Sequence, residues 1–179
     1  DLHYDSDHLR LMEIALRETD RLGNLVNEFL LFARPPAGKP QILHLKEAIE
    51  EIVGLFEKDT NHAHRFTLRK TLVADILVLM DPDHLRQVLW NLLLNAAEAL
   101  QGEGIIEIQE IPIKNNEVSI QVRDNGCGMT PETIQKIFDP FFTTKSEGTG
   151  LGLSIVHRIL EAYDCRLDVQ SQPGSGATF

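Results

Sequence analysis

The sequence has few cysteines, few basic residues and no long apolar run, and each shortage excludes a class of protein. Cys127 and Cys165 are the two cysteines among 179 residues, which is too few for a disulfide framework and suits a reducing compartment. No apolar run approaches the ~18 residues that a membrane-spanning helix needs, so we expect no membrane contact. Lysines and arginines number 17 against 27 aspartates and glutamates, a net charge of −10. Because nucleic-acid binding needs a basic face, we expect no nucleic-acid partner.

The remaining composition is that of a folded protein. Hydrophobic residues make up 42% and charged residues 25% of the chain, which argues against disorder. There is neither an internal repeat nor a low-complexity tract. The chain starts at Asp1 without a methionine or a signal-like segment, and it stops at Phe179 within a predicted strand. We therefore expect it to be part of a longer protein.

Residues 7–33 are predicted to form one long helix, because apolar residues recur at three- and four-residue steps. Leu11, Leu22 and Phe29 belong to one stripe, and a second apolar stripe adjoins it. A stripe this wide suits a helical bundle. Prolines at 35, 36 and 40 indicate a break, so we interpret 1–36 and 37–179 as two units. The alternative is a helix packed on the same domain.

After the break, strand-like and helix-like patterns alternate. Predicted strands cover 41–45, 66–72, 76–80, 104–113, 117–123, 166–170 and 177–179, and predicted helices cover 46–58, 81–100, 131–138 and about 152–163. Elements of both kinds interleave, but hairpin-like neighbours also occur. The pattern predicts an α+β fold in which a mixed sheet carries its helices on one face.

One face of the predicted helix 81–100 is polar. His84, Gln87, Asn91, Asn95 and Glu98 fall at steps of three and four, opposite the apolar Leu85, Val88, Leu89, Leu92, Ala96 and Ala99. Asparagine is a mediocre helix former, and a merely exposed face more often carries Lys, Glu or Arg. Amide and carboxylate oxygens can hold Mg²⁺. The stripe is either a magnesium site or a solvated surface.

Two glycine-rich segments follow. Asp124-Asn125-Gly126-Cys127-Gly128-Met129 comes directly after a predicted strand, where a carboxylate could accept a hydrogen bond from an amine on a bound ring. A hairpin turn is the alternative, since Asn-Gly favours turns. Gly148-Thr149-Gly150-Leu151-Gly152-Leu153-Ser154 opens a predicted helix, whose N-terminal N–H groups could bind phosphate. Its spacing fits neither the P-loop nor the dinucleotide fingerprint.

A phenylalanine-rich stretch, Phe138–Lys145, lies between the two glycine segments. It is either a small hydrophobic cluster under a loop or an aromatic hinge for a mobile lid, with Lys145 reaching phosphate. Residues 129–147 separate the two glycine segments. Loops longer than ~12–15 residues are uncommon and are often lids.

The order of these four motifs resembles the catalytic ATP-binding domain of two-component sensor histidine kinases, within the superfamily of gyrase, Hsp90 and MutL ATPases. The resemblance covers about 41–179 and implies a two-layer α/β sandwich of the Bergerat type. The long N-terminal helix resembles the second helix of the family's dimerisation and phosphotransfer hairpin. The resemblance further implies that the parent protein is a homodimer and that its partner is a response-regulator receiver domain. It also implies a cytoplasmic location, with an optional inner-membrane anchor elsewhere in the parent protein.

The resemblance also implies roles for individual residues. Asn95 would bind Mg²⁺ with support from Asn91, Asp124 would read the adenine amine, and Lys145 would contact phosphate, which makes Asn95 and Lys145 the catalytic candidates. The complete set of candidates for contact with ATP and its metal is Asn91, Asn95, Glu98, Asp124, Gly126, Gly128, Met129, Phe138, Lys145, Thr149, Gly150, Leu151, Gly152 and Leu153.

Departures from the family pattern bear on which reaction the chain catalyses. Hydrolytic relatives carry a glutamate as general base one turn before the metal-binding asparagine, where this chain has Asn91, an amide that cannot act as a base. This favours phosphoryl transfer over the alternatives of ATP hydrolysis or a non-catalytic scaffold. None of the histidines has the acceptor's surroundings, so the resemblance places the acceptor upstream of Asp1. His62 and His64 lack partners at metal-ligand spacing.

Overall fold

A computed structural model describes residues 2–33, 38–58, 66–73, 76–100, 102–113, 117–145 and 148–179. Within the first helix, the side chains described are those of 8–19, 22, 23, 25, 26 and 29–33. The predicted break at Pro35 and Pro36, and the histidines His62 and His64, lie outside the described residues.

Helices and strands alternate along the chain much as the patterns predict. The elements are α1 (Leu2–Ala33), β1 (Gln41–His44), α2 (Leu45–Lys58), β2 (Phe66–Thr71), β3 (Leu77–Met80), α3 (Pro82–Ala99), β4 (Gly104–Pro112), β5 (Val118–Asp124), α4 (Pro131–Ile134), α5 (Gly152–Ala162), β6 (Gln170–Ser171) and β7 (Ala177–Thr178). Helix α3 begins as expected: Asp81 caps it by accepting a hydrogen bond from the Asp83 N–H at 2.8 Å, and Pro82 occupies the first turn.

The main sheet is mixed, which confirms the predicted α+β fold. Its strand order is β2-β4-β5-β7-β6, with β2 parallel to β4 and each of the other neighbours antiparallel. Strands β1 and β3 form a separate antiparallel ribbon. Along β4, Ile106 and Ile108 are fully buried while the residues between them are partly exposed. The buried side of the sheet therefore faces the helices.

Three helices supply the other half of the core. Helix α2 buries Ile49, Val53 and Phe56, α3 buries Leu89 and Leu93, and α5 buries Val156 and Ile159, in one cluster with Ile106, Ile108 and Val122 of the sheet. Burying a leucine or isoleucine contributes about 1.5–3 kcal/mol each, so this cluster dominates the stability of the domain.

Among the described side chains of helix α1, those that meet this core lie near its C-terminal end. Leu31 and Phe32 pack against the core, whereas the described apolar side chains from Leu9 to Leu30 are exposed. Among the residues that the structure describes, no helix is long and apolar enough to cross a membrane.

Two predicted elements are shorter than expected. The strand predicted over 166–170 is wrong, because β6 contains only Gln170 and Ser171, which pair with Thr178 and Ala177 of β7. The helix predicted over 131–138 ends at Ile134 and continues as turns.

Helix α5 ends in a turn that normally needs glycine. Asp164 adopts a left-handed conformation, with φ at 53°. Its N–H donates to the Glu161 carbonyl, and the Cys165 N–H donates to the Leu160 carbonyl. These two bonds define a Schellman cap. Aspartate tolerates this conformation better than most residues do, so the helix stops without a glycine.

Glu110 on β4 is a buried carboxylate with an incomplete set of partners. It is 3% exposed on the same side of the strand as Ile108. Its Oε2 accepts the Val73 N–H at 2.6 Å, and its Oε1 has no hydrogen-bond partner among the described residues. Burial raises the pKa of Glu110, although the Val73 N–H and the charge of Lys46 oppose that rise.

Glu110→Gln is expected to stabilise the fold at neutral pH. A raised pKa in the folded state means that this group stabilises most at low pH, and that this stability is lost as pH rises through the raised value. Removing the charge should therefore raise the free energy of unfolding on the order of 1 kcal/mol at pH 7 and progressively less toward about pH 4. Urea unfolding at several pH values measures this. The exposed Glu117→Gln is the control, and an equal effect of both variants would contradict the assignment.

Candidate functional site

Asp124 lies at the end of β5, where the strand leads into the first glycine segment. Its side chain is 3% exposed, and Oδ1 accepts the Gly126 N–H at 2.8 Å. Burial raises the pKa of the Asp124 carboxyl, while the Gly126 and Ala177 N–H groups and the charge of Lys145 oppose the rise. The structure therefore presents a largely desolvated carboxyl group, to which a hydrogen bond from a ring amine would be stronger than in water.

The glycines after Asp124 are needed by the protein's own backbone. A Cβ at Gly126 would lie 2.4 Å from the Ala99 carbonyl oxygen, and one at Gly128 would lie 1.9 Å from the Gln172 carbonyl oxygen. Gly128 also has a positive φ of 66°. The Met129 N–H donates to Ser171 Oγ at 2.9 Å. These contacts hold the loop after Asp124 between the end of α3 and residues 171–176. The backbone next to the Asp124 carboxyl group is therefore fixed in position.

The polar stripe of α3 is present from Gln87 to Glu98. Asn91 Nδ2 donates to the Gln87 carbonyl at 2.9 Å, and Asn91 Oδ1 lies 3.0 Å from the place that a Cβ on Gly152 would take. The first turn of α5 therefore approaches the stripe at Asn91, which only glycine allows without displacing the amide.

His84 does not belong to the exposed stripe, so this part of the prediction is wrong. Its ring is 7% exposed, and Nδ1 lies 2.8 Å from the hydroxyl of Tyr163, the residue after α5. The aromatic ring of Tyr163 also packs edge-on against the imidazole. Periodicity places His84 on the polar face, but the end of α5 covers that face at its first turn.

Lys145 joins the phenylalanine-rich segment to the stripe. Its Nζ donates to Asn95 Oδ1 at 3.0 Å and forms an ion pair with Glu98 Oε2. Asn95 Oδ1 and Glu98 Oε2 therefore lie next to each other around Lys145 Nζ. Asn91, the other predicted metal ligand, instead contacts the Gln87 carbonyl and lies near Gly152. Amide and carboxylate oxygens on successive turns suit a hard cation such as Mg²⁺, so this donor set fits the metal.

The second glycine segment is held by the phenylalanine-rich segment. The Phe141 N–H donates to the Gly150 carbonyl at 3.0 Å, and a Cβ on Gly150, which has a φ of 70°, would lie 2.4 Å from the Phe141 carbonyl carbon. The ring of Phe138 stacks in a tilted arrangement on His157 of α5, at 5.3 Å between centroids. Phe141 itself is 57% exposed.

Leu151 and Leu153 both contact the hydrophobic core. Leu151 is fully buried in the core, and Leu153 packs against it. The Leu151 N–H already donates to Thr149 Oγ1 at 3.3 Å. The Thr149 hydroxyl therefore closes the turn before α5, and contacts between this segment and a nucleotide stay predictions.

Sequence reasoning missed the contribution of the C-terminal segment. A Cβ on Gly176, whose φ is 77°, would lie 2.0 Å from the Asp124 carbonyl oxygen, and Ser171 Oγ donates to the Gly176 carbonyl at 2.7 Å. The signal was the Gly174-Ser175-Gly176 run. It shows no regular spacing relative to the other motifs, and its role depends on the pairing of β5 with β7.

A cavity of about 280 Å³ opens between α3 and α5. It is lined by Asp83, Arg86, Gln87, Trp90, Asn91 and Ile155. The cavity meets the candidate site at Asn91 and lies away from Asp124. The site therefore has two ends along α3, one near Asp124 and one near Asn91 and Gly152.

The comparisons with known proteins agree with this geometry. Residues 80–179 match the family of histidine kinase-, DNA gyrase B- and HSP90-like ATPases. Sensor histidine kinase ZraS of Klebsiella oxytoca is 39% identical over 178 residues, which cover 98% of this chain and 38% of that protein. The chain thus spans about two fifths of the length of such a relative.

Solved structures show the same fold. Full-length ShkA in complex with AMPPNP matches with a TM-score of 0.81 and 27% identity over 95% of this chain and 37% of that one. Histidine kinase ThkA in complex with the response regulator TrrA matches with a TM-score of 0.76 and 30% identity, over 93% of this chain and 48% of that one. This chain belongs to the histidine kinase-, DNA gyrase B- and HSP90-like ATPase family and contains the catalytic ATP-binding domain of a sensor histidine kinase.

Asp124→Asn is expected to weaken ADP binding without unfolding the domain. The amide would present a donor toward the adenine amine, and the loss of a charge-assisted hydrogen bond should cost on the order of 1.5–3 kcal/mol. Because burial raises the pKa of Asp124, ADP affinity of the parent chain should also fall as pH is lowered from neutral, and at a higher pH than for an exposed aspartate. Calorimetric titration measures both. Unchanged affinity in the variant, or an affinity independent of pH, would refute the assignment.

Asn95→Ala is expected to reduce the magnesium-dependent part of nucleotide binding. Removing Oδ1 deletes a candidate metal ligand and leaves the region around Asp124 intact. ADP affinity is measured with Mg²⁺ and with a chelator, and the ratio of the two values should shrink in the variant. Gln87→Ala, two turns earlier on the stripe, is the matched control. The same ratio in Asn95→Ala and the parent would indicate that the stripe is a solvated surface and not a magnesium site.

Proposed function

We propose that this chain binds Mg²⁺-ATP along α3 and transfers the γ-phosphoryl group to a histidine that lies upstream of residue 1. In this proposal Asp124 binds the adenine amine, and the segment 148–152 at the start of α5 faces the phosphates. Mg²⁺, held by Asn95 with support from Asn91, would neutralise charge on the transferred group. Relay from the phosphohistidine to a response-regulator aspartate would follow.

The observation that carries the proposal is the identity and setting of Asn91. It is the stripe residue nearest to Gly152, and its Nδ2 already donates to the Gln87 carbonyl. A neutral amide cannot remove a proton from water, so the position that would activate water for hydrolysis lacks a base. Transfer depends on positioning and charge neutralisation, which the chain can supply.

Lys145 has two positions in this proposal. In the structure its ammonium group occupies the place beside Asn95 Oδ1 and Glu98 where a metal cation would bind. Two cations repel each other at such a short distance, so Lys145 would have to leave Asn95 for that residue to hold a metal ion. Its ammonium is then free to contact phosphate, as expected for a lid residue.

The partners are supported by α1 and by a relative. Apolar side chains along α1, such as Leu16, Leu22 and Leu30, are more than half exposed, which supports a role for 1–36 as part of a helical bundle between two copies of the protein. ThkA was solved in complex with its response regulator, which supports a receiver domain as partner. The remainder, 37–179, is then the ATP-binding unit.

Labelled ATP tests the transfer. The 179-residue chain is incubated with γ-labelled ATP and Mg²⁺, alone and with the upstream part of the phosphotransfer hairpin supplied separately. Among the histidines whose side chains the structure describes, His84 is buried, and His8, His44 and His157 lie on α1, β1 and α5 and not on α3. We therefore expect no label on the chain alone and an acid-labile, base-stable phosphate on the supplied hairpin.

The controls separate the three candidate functions. Asp124→Asn should greatly reduce transfer to the hairpin. Release of phosphate to water at the same rate with and without the hairpin would indicate a hydrolase instead. Nucleotide binding without transfer or hydrolysis would indicate a scaffold, and phosphohistidine on the chain itself would show that the acceptor lies within it.

A further inference from the structure

Helix α1 ends against α5 through a contact made by one charged side chain. The last four carbonyl groups of a helix have no partner within the helix, and the last turn of α1 contains no basic residue. Arg158 of α5 supplies a hydrogen-bond donor for one of these carbonyl groups and a positive charge at this end of the helix. Its Nη1 donates to the Phe32 carbonyl, and its positive charge lies at the negative end of the helix dipole.

The same guanidinium also contacts the side chain of Phe32. Its central carbon lies 5.0 Å from the centre of the ring, which is within the range of a cation–π interaction. A planar guanidinium can stack on a ring and donate to a carbonyl at the same time, whereas an ammonium group cannot do both equally well. The contact therefore fixes both the position and the direction of the end of α1.

A second contact holds the chain on the other side of the break. A Cβ on Gly38 would lie 2.7 Å from the Tyr163 hydroxyl and 2.7 Å from His84 Cε1, so Gly38 packs directly on this pair. The Lys39 N–H donates to Asp81, whose own N–H donates to the Tyr163 hydroxyl at 3.2 Å. Tyr163, directly after α5, thus contacts the chain at Gly38, six residues after Phe32.

Helix α5 is therefore shared by two tasks. Its first residue, Gly152, meets Asn91 at the phosphate end of the candidate site, while Arg158 and Tyr163 hold the chain on both sides of the break. From Gly152 to Arg158 is less than two helical turns, about 9 Å along the axis. A helix this short acts as a rigid connection between the two.

We propose that Arg158 is a positioning residue that sets the orientation of the ATP-binding domain relative to α1, and through it the geometry of phosphoryl transfer. Arg158 touches neither the stripe nor the Asp124 loop, so it does not bind the nucleotide. Its effect is on the distance between the phosphate end of the site and the histidine that α1's hairpin carries. This inference rests on the proposed transfer only for its consequence on rate, because the orientation itself can be measured without any reaction.

Orientation is measured in the chain as it is. Spin labels are placed at the exposed Cys165 and at Arg17→Cys on α1, in a Cys127→Ser background, with excess unlabelled chain to suppress pairs between molecules. The parent should give one narrow distance distribution. Arg158→Ala should broaden or shift it, and Arg158→Lys and Phe32→Leu should have smaller effects, because each keeps part of the contact. Arg166→Ala, an exposed arginine after α5, is the matched control.

Two further readouts distinguish positioning from general stability. ADP affinity and the unfolding temperature of the ATP-binding domain should be the same in Arg158→Ala and Arg166→Ala. In the full-length protein, Arg158→Ala should lower kcat for histidine phosphorylation roughly 10-fold or more with an unchanged KM for ATP, since small misplacements of reacting groups are costly.

An unchanged distance distribution overturns the proposal. A loss of ADP affinity or domain stability that accounts for the rate change also overturns it. An altered distribution in a protein that never transfers phosphate would leave the orientation role standing and refute the proposed function instead.

Discussion

Helix α3 is fixed about its long axis by burial of one face, and that rotation determines where the opposite face points. Leu89 and Leu93 are 1% and 0% exposed, and they belong to the cluster that α2, α5 and the sheet complete. Turning α3 by one residue step would move these leucines toward solvent at a cost of about 1.5–3 kcal/mol each. Asn91, Asn95 and Glu98 are therefore held in place by apolar packing on the other side of the helix.

The glycines of the motifs place the ends of the site by allowing backbone to touch backbone. Gly126 lies against Ala99, Gly150 against Phe141, and Gly176 against Asp124, each with no room for a Cβ. Such contacts remove side-chain freedom from the loops and make their shapes depend on one another. These loops are thus held by backbone contacts with neighbouring segments, and a methyl group at any of these positions would displace the backbone that it meets.

Charge in the site is balanced by a residue that is distant in sequence. Asp124 and Glu98 add negative charge to a chain whose net charge is already −10, and Lys145 interacts with both, directly with Glu98 and over a longer distance with Asp124. Because Lys145 belongs to the segment before the second glycine motif, the electrostatics of the stripe depend on where that segment lies. The position of the segment 138–145 is thereby coupled to the charge of the stripe.

The sequence alone determined the order of the elements, most of their boundaries, the α+β class and the residues of the four motifs. These features follow from local properties: periodic burial, helix caps, and the backbone freedom of glycine. Tertiary structure decided the burial of His84 and Glu110, the pairing of Lys145 with Asn95 and Glu98, and the contact between Arg158 and Phe32. Each of these depends on a partner at least 37 residues away. Periodicity shows which face of an element is apolar, but it does not show which other element will cover the rest of it.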